Sequence, residues 1–78
     1  MEVSIIAIGD ELLIGQVVDT NSGWIAQEIT PYGWRVKSVR VVADNAKEIK
    51  KAVEDAFNET DIVLTTGGLG PTKDDITK

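Results

Sequence analysis

The sequence predicts an α/β protein: the N-terminal half of a doubly wound, mostly parallel sheet, in the order strand, helix, strand, helix, strand. Two short apolar runs, residues 3–8 and 61–66, have no polar face, which is typical of strands covered on both sides. An amphipathic helical pattern lies between them at residues 45–57. Buried strands separated by helical sequence indicate parallel strand–helix–strand units.

The first two elements are a strand at residues 3–8 and a helix. The helix is expected to begin at Thr20 or Asn21, and Pro31 stops it because proline cannot continue the hydrogen-bond ladder. Asp19 is explained as the cap of this helix. The alternative is that Asp19 or Asn21 contacts a ribose or the shell of a metal ion, and the sequence leaves both possibilities open.

The second strand, residues 34–42, is less regular than the first. Its apolar alternation changes phase near Ser38, between Val36 and Val39, and basic residues are interspersed along it. This pattern favours an edge strand with a bulge.

The second helix has the clearest pattern in the chain. Asn45 can cap its start, and Glu48 three positions later completes a capping-box-like pair. Its apolar residues recur at helical spacing and form one stripe. They are Ile49, Ala52, Val53, Ala56 and Phe57.

The third strand covers residues 61–66. We expect the first and third strands to be central and the second to lie outside them, next to the first. The chain then reverses direction across the sheet between the first and third strands, and ligands bind at such a switch point, beyond the carboxyl ends of the strands. Residues 9–11 and 67–75 leave these two strands and should meet at the same crevice.

Composition and charge restrict the function of the chain. Its 78 residues suffice for at most one domain, and the net charge of −5 argues against binding to nucleic acid. There is no Cys and no His, which excludes disulfides, thiolate nucleophiles and an imidazole base or metal ligand. The first residues lack the basic start and long apolar run of a signal peptide, and no apolar run in the sequence is long enough to cross a bilayer. We therefore expect a cytoplasmic protein that binds neither membrane nor nucleic acid.

The segment at the end of the third strand is rich in glycine and hydroxyl residues. Glycines let successive N–H groups approach an anion, and a helix start would add its positive dipole end. Neither standard nucleotide-binding motif matches, so a phosphate cradle and a simple tight turn both stay possible. Lys73 beside the segment either meets a phosphate or is exposed. The segment consists of Thr66, Gly67, Gly68, Leu69, Gly70, Pro71 and Thr72.

Acidic residues follow all three strands, and each alone is explained as a helix cap or a solvated charge. Beside a phosphate cradle they would together repel the ligand unless a cation lay between them. Mg²⁺ is bound in this way, by one or two carboxylates and phosphate oxygens. The cluster therefore favours a metal-assisted reaction on a phosphate ester or anhydride. Its members are Asp10, Glu11, Asp44, Asp74 and Asp75.

These segments resemble a known family. The run TGGLGPTKDDIT at residues 66–77 resembles the GGLGPTxDDxT signature of the N-terminal domain of the CinA family, which belongs to the molybdopterin-binding superfamily of the MogA and MoaB proteins. The stretches at residues 9–15, 19–21 and 42–45 follow the family pattern in the same order. The resemblance implies a doubly wound α/β fold. It also implies cation-dependent hydrolysis of a nucleotide pyrophosphate such as ADP-ribose, with Mg²⁺ as the expected cation.

The resemblance also implies roles for single residues. In the related molybdopterin adenylyltransferases one aspartate follows the second strand and another follows the glycine loop, which correspond here to Asp44 and Asp75. We assign the catalytic role to these two and to Asp74, and the metal to Asp10, Glu11, Asp74 and Asp75. The adenylyltransferases tend to have Arg-Asp where this chain has Asp74-Asp75. This difference favours the CinA-like branch over the adenylyltransferases. Adenylyl transfer to molybdopterin is one alternative, and a non-catalytic nucleotide-binding or assembly module is another.

The family's domain is longer than 78 residues, and residues 74–78 look like the first turn of a third helix. We therefore expect residues 1–78 to be a partial domain that is inactive alone. Its open sheet edge favours a homo-oligomer or association with the rest of the sheet.

Overall fold

The computed structural model describes residues 1–67, which form a parallel sheet of three strands in the order β2-β1-β3. The strands are β1 (Glu2–Ile8), β2 (Arg35–Val42) and β3 (Ile62–Gly67). The helices are α1 (Asp10–Leu13), α2 (Thr20–Ile29) and α3 (Ala46–Glu59), with a 3₁₀ turn at Thr30–Tyr32. The α/β class, the parallel strands and the position of the second strand beside the first are confirmed. Within residues 1–67, β3 forms the other edge of the sheet.

Strand β1 is the core of the structure. Val3, Ile5 and Ile6 are fully buried, so both faces of the strand are covered, as its apolar sequence predicts. Ile6 and Ile8 pack on one face against Ala52 and Ala56 of α3. Because Ala side chains are small, α3 can approach the sheet closely.

One polar residue lies inside this core. Ser4 is fully buried, and its hydroxyl is 2.7 Å from the hydroxyl of Thr60, which in turn donates to the carbonyl oxygen of Ala56 at 3.0 Å. A buried hydroxyl is tolerated when it is hydrogen-bonded in this way. The contact attaches the end of α3 to β1 just before the chain enters β3.

Strand β2 is an edge strand with a bulge, as predicted. Val3 pairs with Val36 but Ser4 pairs with Ser38, so Lys37 is an extra residue in the ladder. Val39 is 49% exposed, which agrees with an edge position.

The charged residues at the amino ends of the strands form a separate cluster. Arg35 Nη2 donates to Glu2 Oε2 at 2.6 Å, and Lys37 Nζ lies 3.8 Å from Glu2 Oε1. The hydrogen bond from Arg35 is the main reason why the pKa of Glu2 is lowered. This cluster lies at the opposite end of the sheet from the predicted crevice.

Helix α3 begins at the predicted cap, but two details of its prediction are wrong. Asn45 Oδ1 accepts from the N–H groups of Lys47 (2.9 Å) and Glu48 (3.2 Å). The backbone N–H of Asn45 donates to the carbonyl oxygen of Ala43 at 2.8 Å, so the reciprocal bond of a capping box is not formed. Phe57 is 58% exposed, because it lies about 100° around the helix from Ala56, which faces the sheet.

Replacing Asn45 by Ala removes the acceptor for two backbone N–H groups, and we expect the free energy of unfolding to fall by about 1 kcal/mol. Asn58→Ala in the same helix is the matched control, because Asn58 is exposed and lies near the other end of α3. Urea unfolding of the two variants measures the difference. Equal losses of stability would contradict the assignment of Asn45 as the cap.

Helix α2 begins at Thr20, as predicted, and the 3₁₀ turn with Pro31 follows it. Gly33 then has a φ of +83°, which turns the chain into β2. No helix within residues 1–67 is both long and apolar enough to cross a membrane.

Candidate functional site

The carboxyl ends of the three strands lie at the same level. Ile8 at the end of β1 pairs with Val42 on one side and with Gly67 on the other. The predicted convergence of the segments that leave β1 and β3 at one crevice is therefore confirmed for Glu11 and Gly67, whereas Gly9 and Asp10 are not part of the described lining. A crevice of about 160 Å³ lies there, between these segments and the start of α2. Its polar lining consists of Glu11, Asp19, Thr20, Asn21, Thr66 and Gly67.

This volume is smaller than the roughly 300–1,000 Å³ of typical small-molecule sites. The crevice formed within residues 1–67 is therefore smaller than a site that encloses a small molecule. The lining contains the carboxylates of Glu11 and Asp19, and within the described part of the chain it contains no Lys or Arg. Among the described lining residues, a phosphate placed here could accept from main-chain N–H groups, from the hydroxyls of Thr20 and Thr66 and from the amide of Asn21.

A larger depression of about 230 Å³ lies along the outer edge of β2 and against α3. Three charged side chains on its wall, Arg40, Lys51 and Asp55, are already paired. Arg40 pairs with Glu59 at 2.8 Å, and Lys51 pairs with Asp55 at 3.0 Å. It is also away from the switch point at which open α/β sheets bind ligands. We therefore assign the candidate site to the crevice at the strand ends.

Gly67 is the described residue of the crevice at which a side chain would be least tolerated. Its φ is +84°, and a Cβ at this position would overlap the backbone carbonyl oxygen of Ile8. The glycine is required by the close approach of the ends of β1 and β3. Thr66 and Gly67 line the crevice, as expected for the start of the glycine-rich segment.

The two acids that follow β1 turn in different directions. Both belong to α1, where successive residues are about 100° apart. Asp10 Oδ1 accepts from the backbone N–H of Asp44 at 3.2 Å, whereas Glu11 lines the crevice. The carboxylate of Glu11 folds over Gly9, and a Cβ on that glycine would lie 2.9 Å from Glu11 Oε2.

Sequence reasoning missed α1, since four residues are too few to show a helical period. Two signals in the sequence could have predicted it. The acidic pair after Gly9 suits the first turn of a helix. Gly15 suits the end of a helix, where glycine often takes a positive φ, and its φ in the structure is +79°.

Asp19 caps α2, which confirms one of the two readings of this residue. Its Oδ1 accepts from the backbone N–H of Ser22 at 3.2 Å, and its Oδ2 accepts from the Ser22 hydroxyl at 2.6 Å. Asp19 and the neighbouring Asn21 also line the crevice. Contact of either residue with a ligand stays a prediction.

The remaining predicted site residues lie outside the described residues. The roles given to them, and the Mg²⁺ site that includes two of them, stay predictions. Within residues 1–67, no three acidic side chains are grouped closely enough to hold a metal ion. The residues outside the described range are Gly68, Leu69, Gly70, Pro71, Thr72, Lys73, Asp74 and Asp75.

Comparison with known proteins gives a consistent result. Residues 4–78 match the family described as "Probable molybdopterin binding domain". A protein of Pyrobaculum arsenaticum is 52% identical over 94% of this chain and 28% of its own length. A "Putative competence-damage inducible protein" of Clostridium novyi is 49% identical over the whole chain and 19% of its own length. The chain thus spans between about a fifth and just over a quarter of the length of these curated relatives.

A solved structure agrees with these sequence matches. The crystal structure of the protein CinA with unknown function from Thermoplasma acidophilum superposes with a TM-score of 0.85 at 39% identity. The superposition covers 91% of this chain and 42% of that one. Both the fold and the resemblance predicted from the sequence motifs are confirmed.

Proposed function

Because this chain belongs to the molybdopterin-binding domain family, we propose that it forms part of a cation-dependent hydrolase of nucleotide pyrophosphates. ADP-ribose is the first candidate substrate, as the resemblance to CinA N-terminal domains implies. One observation carries the proposal: Gly67, at the start of the glycine-rich segment, meets Glu11 at a crevice placed at the switch point of the sheet.

The charge of the crevice supports the use of a cation. A pyrophosphate is an anion, and the described wall of the crevice carries carboxylates and no basic side chain. Carboxylate oxygens are the ligands that Mg²⁺ prefers. Glu11 supplies one from the lining of the crevice, and we propose Asp44, which follows β2 and lies outside the described lining, as a second. Asp74 and Asp75 would complete the set. A bound Mg²⁺ would neutralise phosphate charge in the transition state.

Residues of the chain itself would bind the phosphate, orient the ligand and accept the proton. Main-chain N–H groups from Gly67 onward would hold the phosphate oxygens. The hydroxyl of Thr20 and the amide of Asn21, which line the crevice, would orient the sugar or phosphate of the ligand. Because the chain has no His, a carboxylate would accept the proton of the attacking water.

Adenylyl transfer to molybdopterin is the second candidate, and the description of the matching family favours it. The two reactions share a nucleotide phosphate and a cation, and they differ in the acceptor. In the first reaction water accepts the adenylyl group of ADP-ribose, which gives AMP, and ribose phosphate leaves. In the second the pterin accepts the adenylyl group of a nucleotide, and the rest of the phosphate chain leaves. The acceptor therefore separates the two proposals.

Calorimetric titration of ADP-ribose into the full-length protein, with Mg²⁺ and then with EDTA, tests the proposal. We expect binding that requires the cation and release of AMP in a parallel hydrolysis assay. Titration with molybdopterin is the comparison. Tight binding of the pterin without binding of ADP-ribose would favour adenylyl transfer, and no cation dependence in either titration would contradict both reactions.

A further inference from the structure

We infer that Asp10 is a positioning residue whose carboxylate holds the main chain of Asp44, and that it is not a ligand of the cation. The inference rests on the proposed function, because Asp44 is one of the carboxylates that the proposed reaction uses. As a member of the acidic cluster, Asp10 is predicted from the sequence to bind the cation, and this inference replaces that role. The argument depends on the hydrogen bonds that join the ends of β1 and β2.

Two hydrogen bonds connect the strand ends. The N–H of Gly9 donates to the carbonyl oxygen of Val42 at 3.0 Å, which extends the ladder by one step. The N–H of Asp44 then donates to Asp10 Oδ1 at 3.2 Å. Since α1 has begun at Asp10, the backbone there has turned away from β2. The backbone of β1 therefore no longer offers a carbonyl oxygen to the N–H of Asp44, and the side chain of Asp10 accepts from it instead.

Asp44 is also held from its other side. The N–H of Asn45 donates to the carbonyl oxygen of Ala43 at 2.8 Å, and the Asn45 side chain caps α3. The short connection from β2 to α3 is thus fixed at both ends. Within residues 1–67, the carboxylate of Asp44 accepts no hydrogen bond and the residue is exposed. The Asp10 carboxylate is therefore bonded to the backbone, whereas the Asp44 carboxylate is not bonded to any described residue.

Glu11 provides the contrast within the same helical turn. It is adjacent to Asp10, but it faces the crevice and makes no hydrogen bond to β2 within the described chain. The direction of each side chain follows from the helical rotation of about 100° per residue. The acid that serves the site from the end of β1 is therefore Glu11, and Asp10 acts through Asp44.

Asp10→Asn and Asp10→Ala in the full-length protein test this role. Asn keeps a carbonyl oxygen that can accept from the N–H of Asp44 but removes the charge, whereas Ala removes both. We expect Asp10→Asn to change Mg²⁺ affinity and turnover by less than about threefold. We expect Asp10→Ala to speed hydrogen exchange of the Asp44 amide and to slow turnover, each by about tenfold, as the loss of one hydrogen bond implies. Asp55→Asn, a neutralised surface acid on α3, is the control for the change in net charge.

The outcomes separate the possible failures. If Asp10→Asn weakens Mg²⁺ binding as strongly as Asp10→Ala while the Asp44 amide stays protected, Asp10 is a cation ligand and the inference is overturned. If Asp10→Ala does not fold, the comparison of Asp10→Asn with the wild type still decides between the two roles. If the wild type neither binds Mg²⁺ nor hydrolyses ADP-ribose, the proposed function fails. Exchange of the Asp44 amide in Asp10→Ala, which needs no substrate, then decides whether Asp10 holds the backbone.

Discussion

Replacing Gly67 by Ala is expected to lower the free energy of unfolding by about 3 kcal/mol. Two costs add at this position. The φ of +84° is unfavourable for a residue with a Cβ, and the Cβ itself would overlap the carbonyl oxygen of Ile8. Ile8 and Gly67 are paired at the ends of β1 and β3, so relief of the overlap requires the two strands to separate there. The separation would also widen the crevice, and we expect weaker ligand binding in any variant that folds.

Gly33→Ala is the matched control for this substitution. Gly33 has a φ of +83°, close to that of Gly67, but its added Cβ would meet nothing within 4 Å. It should lose only the conformational part, about 1 kcal/mol. Urea unfolding followed by circular dichroism measures both variants. Equal losses would show that the overlap with Ile8 is relieved without cost and that Gly67 is needed for its conformation alone.

Asp44→Asn is expected to reduce cation-dependent hydrolysis of ADP-ribose by about a hundredfold or more. The substitution keeps the size of the side chain and the backbone N–H that donates to Asp10. Asp44 is exposed, and within the described residues its carboxylate takes part in no hydrogen bond or ion pair. The stability of the fold should therefore change little, and the loss should appear in turnover and in Mg²⁺ affinity.

The measurement is the turnover rate as a function of Mg²⁺ concentration, with Asp55→Asn as the control for one lost negative charge. We expect the control to retain wild-type turnover, because Asp55 pairs with Lys51 on the surface of α3. Unchanged hydrolysis in Asp44→Asn would exclude Asp44 from the reaction and leave Glu11 and the acids beyond residue 67 as the candidates. A similar loss in both variants would indicate an effect of net charge rather than of a site.

Most of the fold could be predicted because its signals are local. The apolar run of β1 predicts burial on both faces, and the change of phase near Ser38 predicts the bulge that places Lys37 outside the ladder. Asn45 predicts the start of α3 through hydrogen bonds within one turn. The exposure of Phe57 could not be predicted, because it depends on where the sheet lies beside the helix.

The sequence by itself determined the fold class, the order of the strands, the family and the end of the sheet at which the crevice lies. Each of these follows from the order of apolar runs, caps and glycines along the chain. Only the tertiary structure decided what the individual acids do. Asp10 faces the backbone of Asp44, Asp19 caps α2, and Glu11 lines the crevice. The physical reason is that a carboxylate finds its hydrogen-bond partner through space, and in parallel strands that partner comes from a distant segment, as Asp44 does for Asp10.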